Sequence, residues 1–100
     1  MIPEIKSIYL TTYPENDTQI NVFDIIKLKN TFKDFSLVFI NDHYALIYKN
    51  LNIIISNSGH IQLSLVTTLE LLESLSLLAR MANRINSILG IKNYSEKVMN

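Results

Sequence analysis

The hydrophobic and polar positions of this chain divide it into segments of two periods. Five short segments, at 4–13, 35–40, 43–49, 51–56 and 60–66, are rich in β-branched and aromatic residues and are predicted strands. Two segments have helical spacing, one ending near Asn30 and one running from the Thr67-Thr68 pair to Gly90. Only the first connection contains a helix, so the order β-α-β-β-β-β-α predicts an α+β domain. We expect a curved antiparallel sheet with both helices on one face.

The stretch from Leu51 to Gly90 carries the strongest pattern. Asn57-Ser58-Gly59 predicts a tight hairpin turn in which Gly59 supplies a positive φ, and Asn41-Asp42 predicts a second turn. After the first turn, Ile61, Leu63 and Leu65 alternate with Gln62 and Ser64. Such alternation predicts a sheet with one covered face and one open face.

The helical spacing also predicts which helix faces are buried. In the first helix it places a stripe of Ile20, Phe23, Ile26 and Lys27 towards the sheet. This stripe is wide, with Val22, Ile25 and Leu28 beside it. The second helix is expected to begin at a Thr67 or Thr68 cap and to end at Gly90. Its apolar stripe contains Leu71, Leu75, Leu78, Ala82, Ile85 and Leu89, widened by Leu72, Ala79 and Ile88. At the edge of this stripe, Leu69, Leu77 and Met81 are candidates for a partner surface, with the periphery of the core as the alternative interpretation.

Composition sets limits on the class of protein. The 100 residues, 48% hydrophobic, suffice for one domain, predicted over 1–91 and followed by a polar tail over 92–100 that frays. Nine basic and nine acidic residues cancel, and the lysines are scattered, so charge does not indicate a nucleic-acid partner. The chain has no cysteine, no signal-peptide core and no apolar run near the ~20 residues of a membrane helix. We therefore expect a cytoplasmic protein.

No motif of catalytic chemistry occurs in the sequence. His43 and His60 are the only histidines, and they are not accompanied by a carboxylate cluster or by the spacing of a zinc motif. A G-x-S-x-G motif and a glycine-rich phosphate loop are both lacking. The sequence therefore predicts a protein that is not an enzyme, without a metal or a cofactor. A small hydrolase or ligand carrier that uses His43 or His60 is the remote alternative.

Several short strings are similar to a known repeat. The repeat contains four characteristic strings, I-x-N-I-V-A-T, L-D-L, F-x-G-L-V-Y-R and L-I-F-x-S-G-K-I-V-V-T-G. The corresponding positions of this chain carry, in the same order, IKSIYLT (5–11), INV (20–22), HYALIYK (43–49) and IISNSGHIQLSL (54–65). The nearest literal match is Ser58-Gly59-x-Ile61. With the order of elements, these strings resemble one repeat of the TATA-box-binding protein fold, which implies a place in transcription.

The resemblance implies which residues would face nucleic acid. In that family the open face of the sheet binds the minor groove, and phenylalanine wedges bend the duplex. The corresponding positions are Ser7, Tyr9, Thr11, His43, Ser56, His60, Gln62 and Ser64. The two wedge positions fall on His43 and Ser56, and only Thr11 and Ser64 keep the family's chemistry. The resemblance thus implies a module whose DNA binding is weak or lost and that acts through protein contacts. Two copies paired edge to edge would rebuild the two-repeat saddle and cover a sheet edge.

A second resemblance competes with the first. The closing segment LLESLSLLARMANRINSIL (71–89) is rich in Leu, Arg, Asn and Ser, as is the last helix of the small dimerising subunit of the KEOPS complex. That resemblance implies an accessory subunit for tRNA threonylcarbamoyladenosine modification, present as a homodimer or in a heteromeric complex. The subunit normally has fewer strands before this helix, and its leucine-arginine string is interrupted here, because Leu72 is followed by Glu73.

Overall fold

The computed structural model describes residues 2–99 and contains one antiparallel sheet and two helices. The strands are β1 (Lys6–Pro14), β2 (Ser36–Ile40), β3 (His43–Tyr48), β4 (Leu51–Ser56), β5 (Ile61–Thr67) and β6 (Tyr94–Met99), and the helices are α1 (Val22–Thr31) and α2 (Leu71–Ile88). The strands lie in the order β2-β3-β4-β5-β1-β6, and every neighbouring pair is antiparallel. The predicted α+β class and antiparallel sheet are confirmed. Neither helix within residues 2–99 has the length and apolarity needed to cross a membrane.

One face of the sheet carries the hydrophobic core. Opposed residues of paired strands point to the same side, so Leu63 shares this face with Leu10 of β1 and Ile53 of β4. All three side chains are buried. Helix α1 adds Ile25 and Leu28 to this core, and helix α2 adds Leu78, Ala82 and Ile85. Both helices therefore belong to the layer that covers this face, and we call the opposite side the open face.

The tight connections follow the turn residues in the sequence. Asn41 and Asp42 form the two-residue β2–β3 loop, with φ of 51° and 63°. Such left-handed pairs match the twist of a hairpin, and Asn and Asp tolerate them. Gly59 has φ of 86° in the β4–β5 turn. The turn predictions at both places are confirmed.

The two ends of α2 differ in how well they follow the prediction. At the C-terminus, the amide of Gly90 donates to the Ser87 carbonyl at 3.1 Å and that of Ile91 to the Asn86 carbonyl at 2.8 Å. This is a Schellman motif around a left-handed glycine, as predicted. At the N-terminus the prediction of a threonine cap is wrong. The cap position is Glu70, which makes no side-chain capping bond.

The largest correction concerns the polar tail. The prediction that residues 92–100 fray is wrong, because residues 94–99 form β6, and Asn100 lies outside the described residues. Strand β6 pairs with the outer edge of β1, and the Glu15 amide donates to the Asn93 carbonyl at 3.0 Å just before it. The hydroxyl of Tyr94 also donates to Asn83 Oδ1 of α2 at 3.2 Å. The predicted element order β-α-β-β-β-β-α therefore lacks one strand, β6.

The burial of the helix faces also differs from the prediction. In α1, Ile25 and Leu28 are buried, whereas Phe23 is 70% exposed and Ile26 is exposed as well. Apolar residues occupy half of the ten positions of this helix and form a wide stripe, so spacing alone does not fix its rotation. The entry of the helix is held by a reciprocal capping box between Asn21 and Asp24, and the Ile20 amide ties it to the β4–β5 turn by donating to the Asn57 carbonyl at 2.8 Å. In α2, Leu71 and Leu72 are exposed, because this first turn extends past the core.

Candidate functional site

The open face is the broadest surface of the sheet without a helix on it. Two rows of opposed residues cross all six strands: Val38, Ala45, Ile54, Gln62, Thr11 and Lys97 form one, and Ser36, Ile47, Asn52, Ser64, Tyr9 and Met99 form the next. Tyr9, Ile47 and Ile54 remain 36–38% exposed. Both rows mix apolar with uncharged polar side chains, and the first row ends at Lys97, so the surface is neither a core nor a solvated face.

The eight residues assigned by resemblance to a nucleic-acid face are brought together on the open face. Seven lie in strands β1, β3, β4 and β5, at positions whose side chains alternate with the buried ones. The eighth, His60, directly precedes β5. Their shared location follows from the pleat, and their role in binding stays a prediction.

Five of these eight residues line one shallow depression of about 260 Å³. Its walls are Thr11, Tyr13, His43, Ile54, Ser56, His60 and Gln62. The Nδ1 of His43 lies 2.7 Å from the Asn41 carbonyl, which can only accept, so Nδ1 carries the proton and Nε2 is left unprotonated in the neutral ring. The His60 ring meets the Tyr13 ring edge to face at 5.0 Å between centroids. Both imidazoles are thus oriented by neighbours.

The hydroxyl and imidazole groups of the depression are not hydrogen-bonded to each other. The hydroxyl of Ser56 lies 3.0 Å from the Ser58 hydroxyl and accepts from the backbone amide of His60 at 3.1 Å, with no bond to an imidazole that could act as its base. No carboxylate lines the depression. Within the part of the chain that the structure describes, no three His, Cys, Asp or Glu side chains cluster closely enough to hold a metal ion. The arrangement can donate and accept hydrogen bonds.

Charge on the open face is sparse. Among strand residues that point to this side, Lys97 is the one formally charged side chain in the described chain. Proteins that bind DNA draw much of their affinity from contacts between several basic residues and phosphates. The open face therefore lacks the electrostatic basis of tight duplex binding.

The β2 edge, residues Ser36–Ile40 at one side of the sheet, is a continuous run of exposed and mainly apolar residues. Leu37 and Phe39 point to the helix side and are 39% and 59% exposed, so the helix layer leaves this end of the sheet open. Val38 and Ile40 point to the open face and are 37% and 52% exposed. An edge strand with unpaired backbone groups and apolar side chains on both faces is a template for another strand.

The predicted partner surface on α2 lies apart from this edge. Leu69, before the helix, is 40% exposed. Leu77 and Met81 are half-buried and pack against the core, which favours the alternative interpretation for these two residues.

The residue pattern alone does not mark the β2 edge as a functional surface. Its sign in the sequence is the string FSLVFI (35–40), in which no charge or proline interrupts the apolar residues. Only the sheet order reveals that this strand is at an edge.

No protein-family model matches the chain, and no curated protein is significantly similar to it in sequence.

Proposed function

We propose that this chain is a non-enzymatic interaction module that acts through protein–protein contacts. The observation that carries the proposal is the β2 edge, where all five residues are exposed and four of them are large and apolar. Soluble proteins usually protect a sheet edge with charge, proline or a covering element. An edge that keeps neither charge nor cover is best explained by a partner that binds there.

The resemblance to half of a TATA-box-binding protein supports a module of this architecture. The expected series β-α-β-β-β-β-α is contained in the observed order from β1 to α2. The residues that correspond to the family's DNA face all lie on the open face.

Bending of DNA is not part of the proposed activity. Minor-groove binders of this kind insert apolar wedges between base steps and neutralise phosphates. His43 and Ser56 stand at the two wedge positions, and Lys97 is the sole charge on the strand positions of the open face. Ser56 has no ring to insert, and the imidazole of His43 is smaller and more polar than a phenylalanine wedge.

The number of strands argues against the KEOPS-type alternative. That family has fewer strands before its closing helix, whereas β2, β3, β4 and β5 all precede α2 here. Nothing in the geometry favours a tRNA-linked role over a general interaction module.

The proposal is tested by measuring both kinds of binding on one preparation. Fluorescence anisotropy with an AT-rich duplex, at low and physiological salt, reports DNA affinity, and energy transfer between dyes at the duplex ends reports bending. We expect at most weak, salt-sensitive binding at a dissociation constant of about 10⁻⁴–10⁻⁶ M and no bend. We also expect a protein complex that Phe39→Ser weakens. Bending of the duplex by the wild-type chain would overturn the proposal.

A further inference from the structure

We infer that β2 pairs antiparallel with β2 of a second copy of this chain, about a two-fold axis that passes through Val38. The two sheets then join into one, with both helix layers on the same side and the two open faces continuous. This inference rests on the proposed function, because it names the partner at the β2 edge.

The two edges of the sheet are treated differently by the sequence. Strand β6 carries Glu96 and Lys97, and such charges discourage pairing with another strand. Strand β2 has the sequence SLVFI and carries no charge. The nearest charged residues, Lys33, Asp34 and Asp42, lie beyond its two ends. Pairing at β2 therefore places no charge within the new ladder, whereas pairing at β6 would.

The β2 sequence is complementary to itself. With the axis at Val38, this residue faces Val38 of the second copy, and Leu37 faces Phe39. Opposed residues in an antiparallel pair share a face and come into side-chain contact. The Leu37–Phe39 contacts would extend the apolar layer on the helix side, where both side chains are now exposed. A partner strand must be apolar on both faces to fit this edge, and β2 itself meets that requirement.

The area available is close to what a dimer needs. If a fully exposed large side chain presents about 200 Å², the exposed parts of Leu37, Val38, Phe39 and Ile40 amount to roughly 750 Å² over two copies. Ser36, the backbone edges and neighbouring β3 side chains raise this towards the ~1,000 Å² of a small specific interface. A formal net charge of zero means that two copies do not repel each other overall. Such an interface predicts a reversible dimer whose population rises with protein concentration.

The absence of cysteine from the chain makes a direct test of the register available. Val38→Cys places two thiols opposite each other across the axis, within the distance that a disulfide requires. We expect this variant to form a covalent dimer with oxidised glutathione. Ile40→Cys faces Ser36 of the second copy and should cross-link poorly. Ser95→Cys on the β6 edge is the matched control and should form no covalent dimer.

Light scattering over a concentration series completes the test. The wild-type chain should approach the dimer mass as concentration rises. Val38→Lys puts two like charges opposite each other on the axis and should remain monomeric at least ten-fold beyond the wild-type midpoint. Ser95→Lys adds the same charge to the other edge and should dimerise normally. Phe39→Ser, on the helix side, should weaken the dimer independently, and circular dichroism checks that each variant is folded.

The outcomes separate this inference from the proposed function. A dimer that persists in Val38→Lys and Phe39→Ser, or that cross-links through Ser95→Cys, would overturn pairing at β2 and leave a protein-binding module. A wild-type chain that stays monomeric but forms a Phe39-dependent complex with a different protein would overturn the second copy as partner and leave the proposed function. A monomer that binds no protein and bends DNA would overturn both.

Discussion

A buried polar pair between β1 and α2 gives the sharpest test of the packing. The side-chain amide of Asn86 donates to Thr12 Oγ1 at 3.1 Å and to the Ala82 carbonyl at 2.9 Å. Both residues are fully buried. The Asn86 Oδ1 atom has no hydrogen-bond partner. The pair thus combines a satisfied donor, which stabilises the fold, with an unsatisfied acceptor, which costs free energy.

The structure predicts different effects for the two single substitutions. Thr12→Val keeps the shape of the side chain but leaves one amide hydrogen of Asn86 unpaired, which should lower the free energy of unfolding by about 1–2 kcal/mol. Asn86→Leu removes the unsatisfied oxygen at the same time as it leaves the Thr12 hydroxyl unpaired. These effects oppose each other, so we expect a change within about 1 kcal/mol.

The double variant is the decisive member of the cycle. Thr12→Val with Asn86→Leu leaves no polar side-chain atom at this contact, and we expect it to be about 1 kcal/mol more stable than the wild type. Urea unfolding of the four proteins, with equal slopes, measures the cycle. A double variant whose loss equals the sum of the two single losses would refute the reasoning, because it would mean that Thr12 and Asn86 do not interact.

Three further predictions concern the turn, the last strand and the first helix. Gly59→Ala should lower the melting temperature, because φ is +86° and the added Cβ would lie 2.9 Å from a β1 side-chain carbon. We expect a strain of about 1–3 kcal/mol. An unchanged melting temperature would contradict this prediction. Burial, and then the charge of Glu96, raise the pKa of Tyr94 above 10.0. The contribution of Tyr94 to stability is therefore complete below pH 10 and is lost as pH rises through the folded-state pKa. Unfolding midpoints measured from pH 9 upward should fall less steeply in Tyr94→Phe than in the wild type. Asn21→Ala removes the cap of α1 and should cost about 1 kcal/mol in urea unfolding, whereas the exposed Asn30→Ala should cost less. Equal losses at Asn21 and Asn30 would refute the capping argument.

Local pattern predicts most of this sheet because each element obeys its own period. Alternation in β5 separates Leu63 from Gln62 whatever the neighbouring strands are, and the turn chemistry of Asn41-Asp42 and Gly59 needs no tertiary information. The Schellman end of α2 at Gly90 is equally local.

Strand β6 was missed because its stability comes from outside its own sequence. Its residues after Tyr94 are exposed, so it shows little side-chain pattern. What holds it is backbone pairing with β1, whose outer edge would otherwise be unpaired. The rotation of α1 was missed for a related reason, because its buried side depends on where the capped entry at Asn21 meets the sheet.

The candidate site also combines features that the sequence predicts with features that only the structure reveals. The eight open-face residues were predictable as a set, because the pleat alone places alternate residues on one side. The depression beside His43 and His60 needs the register of four strands, and the exposure of Phe39 needs the sheet order. Neither can be read from the order of residues along the chain.

One measurement addresses the central claim most directly: the solution mass of the wild-type chain by light scattering, alone and after mixing with an AT-rich duplex. The account predicts a mass that rises from monomer towards dimer with concentration and is unchanged by the duplex, since the β2 edge binds protein and the open face lacks wedges and charge. A monomer at every concentration that forms a stable complex with the duplex would contradict it.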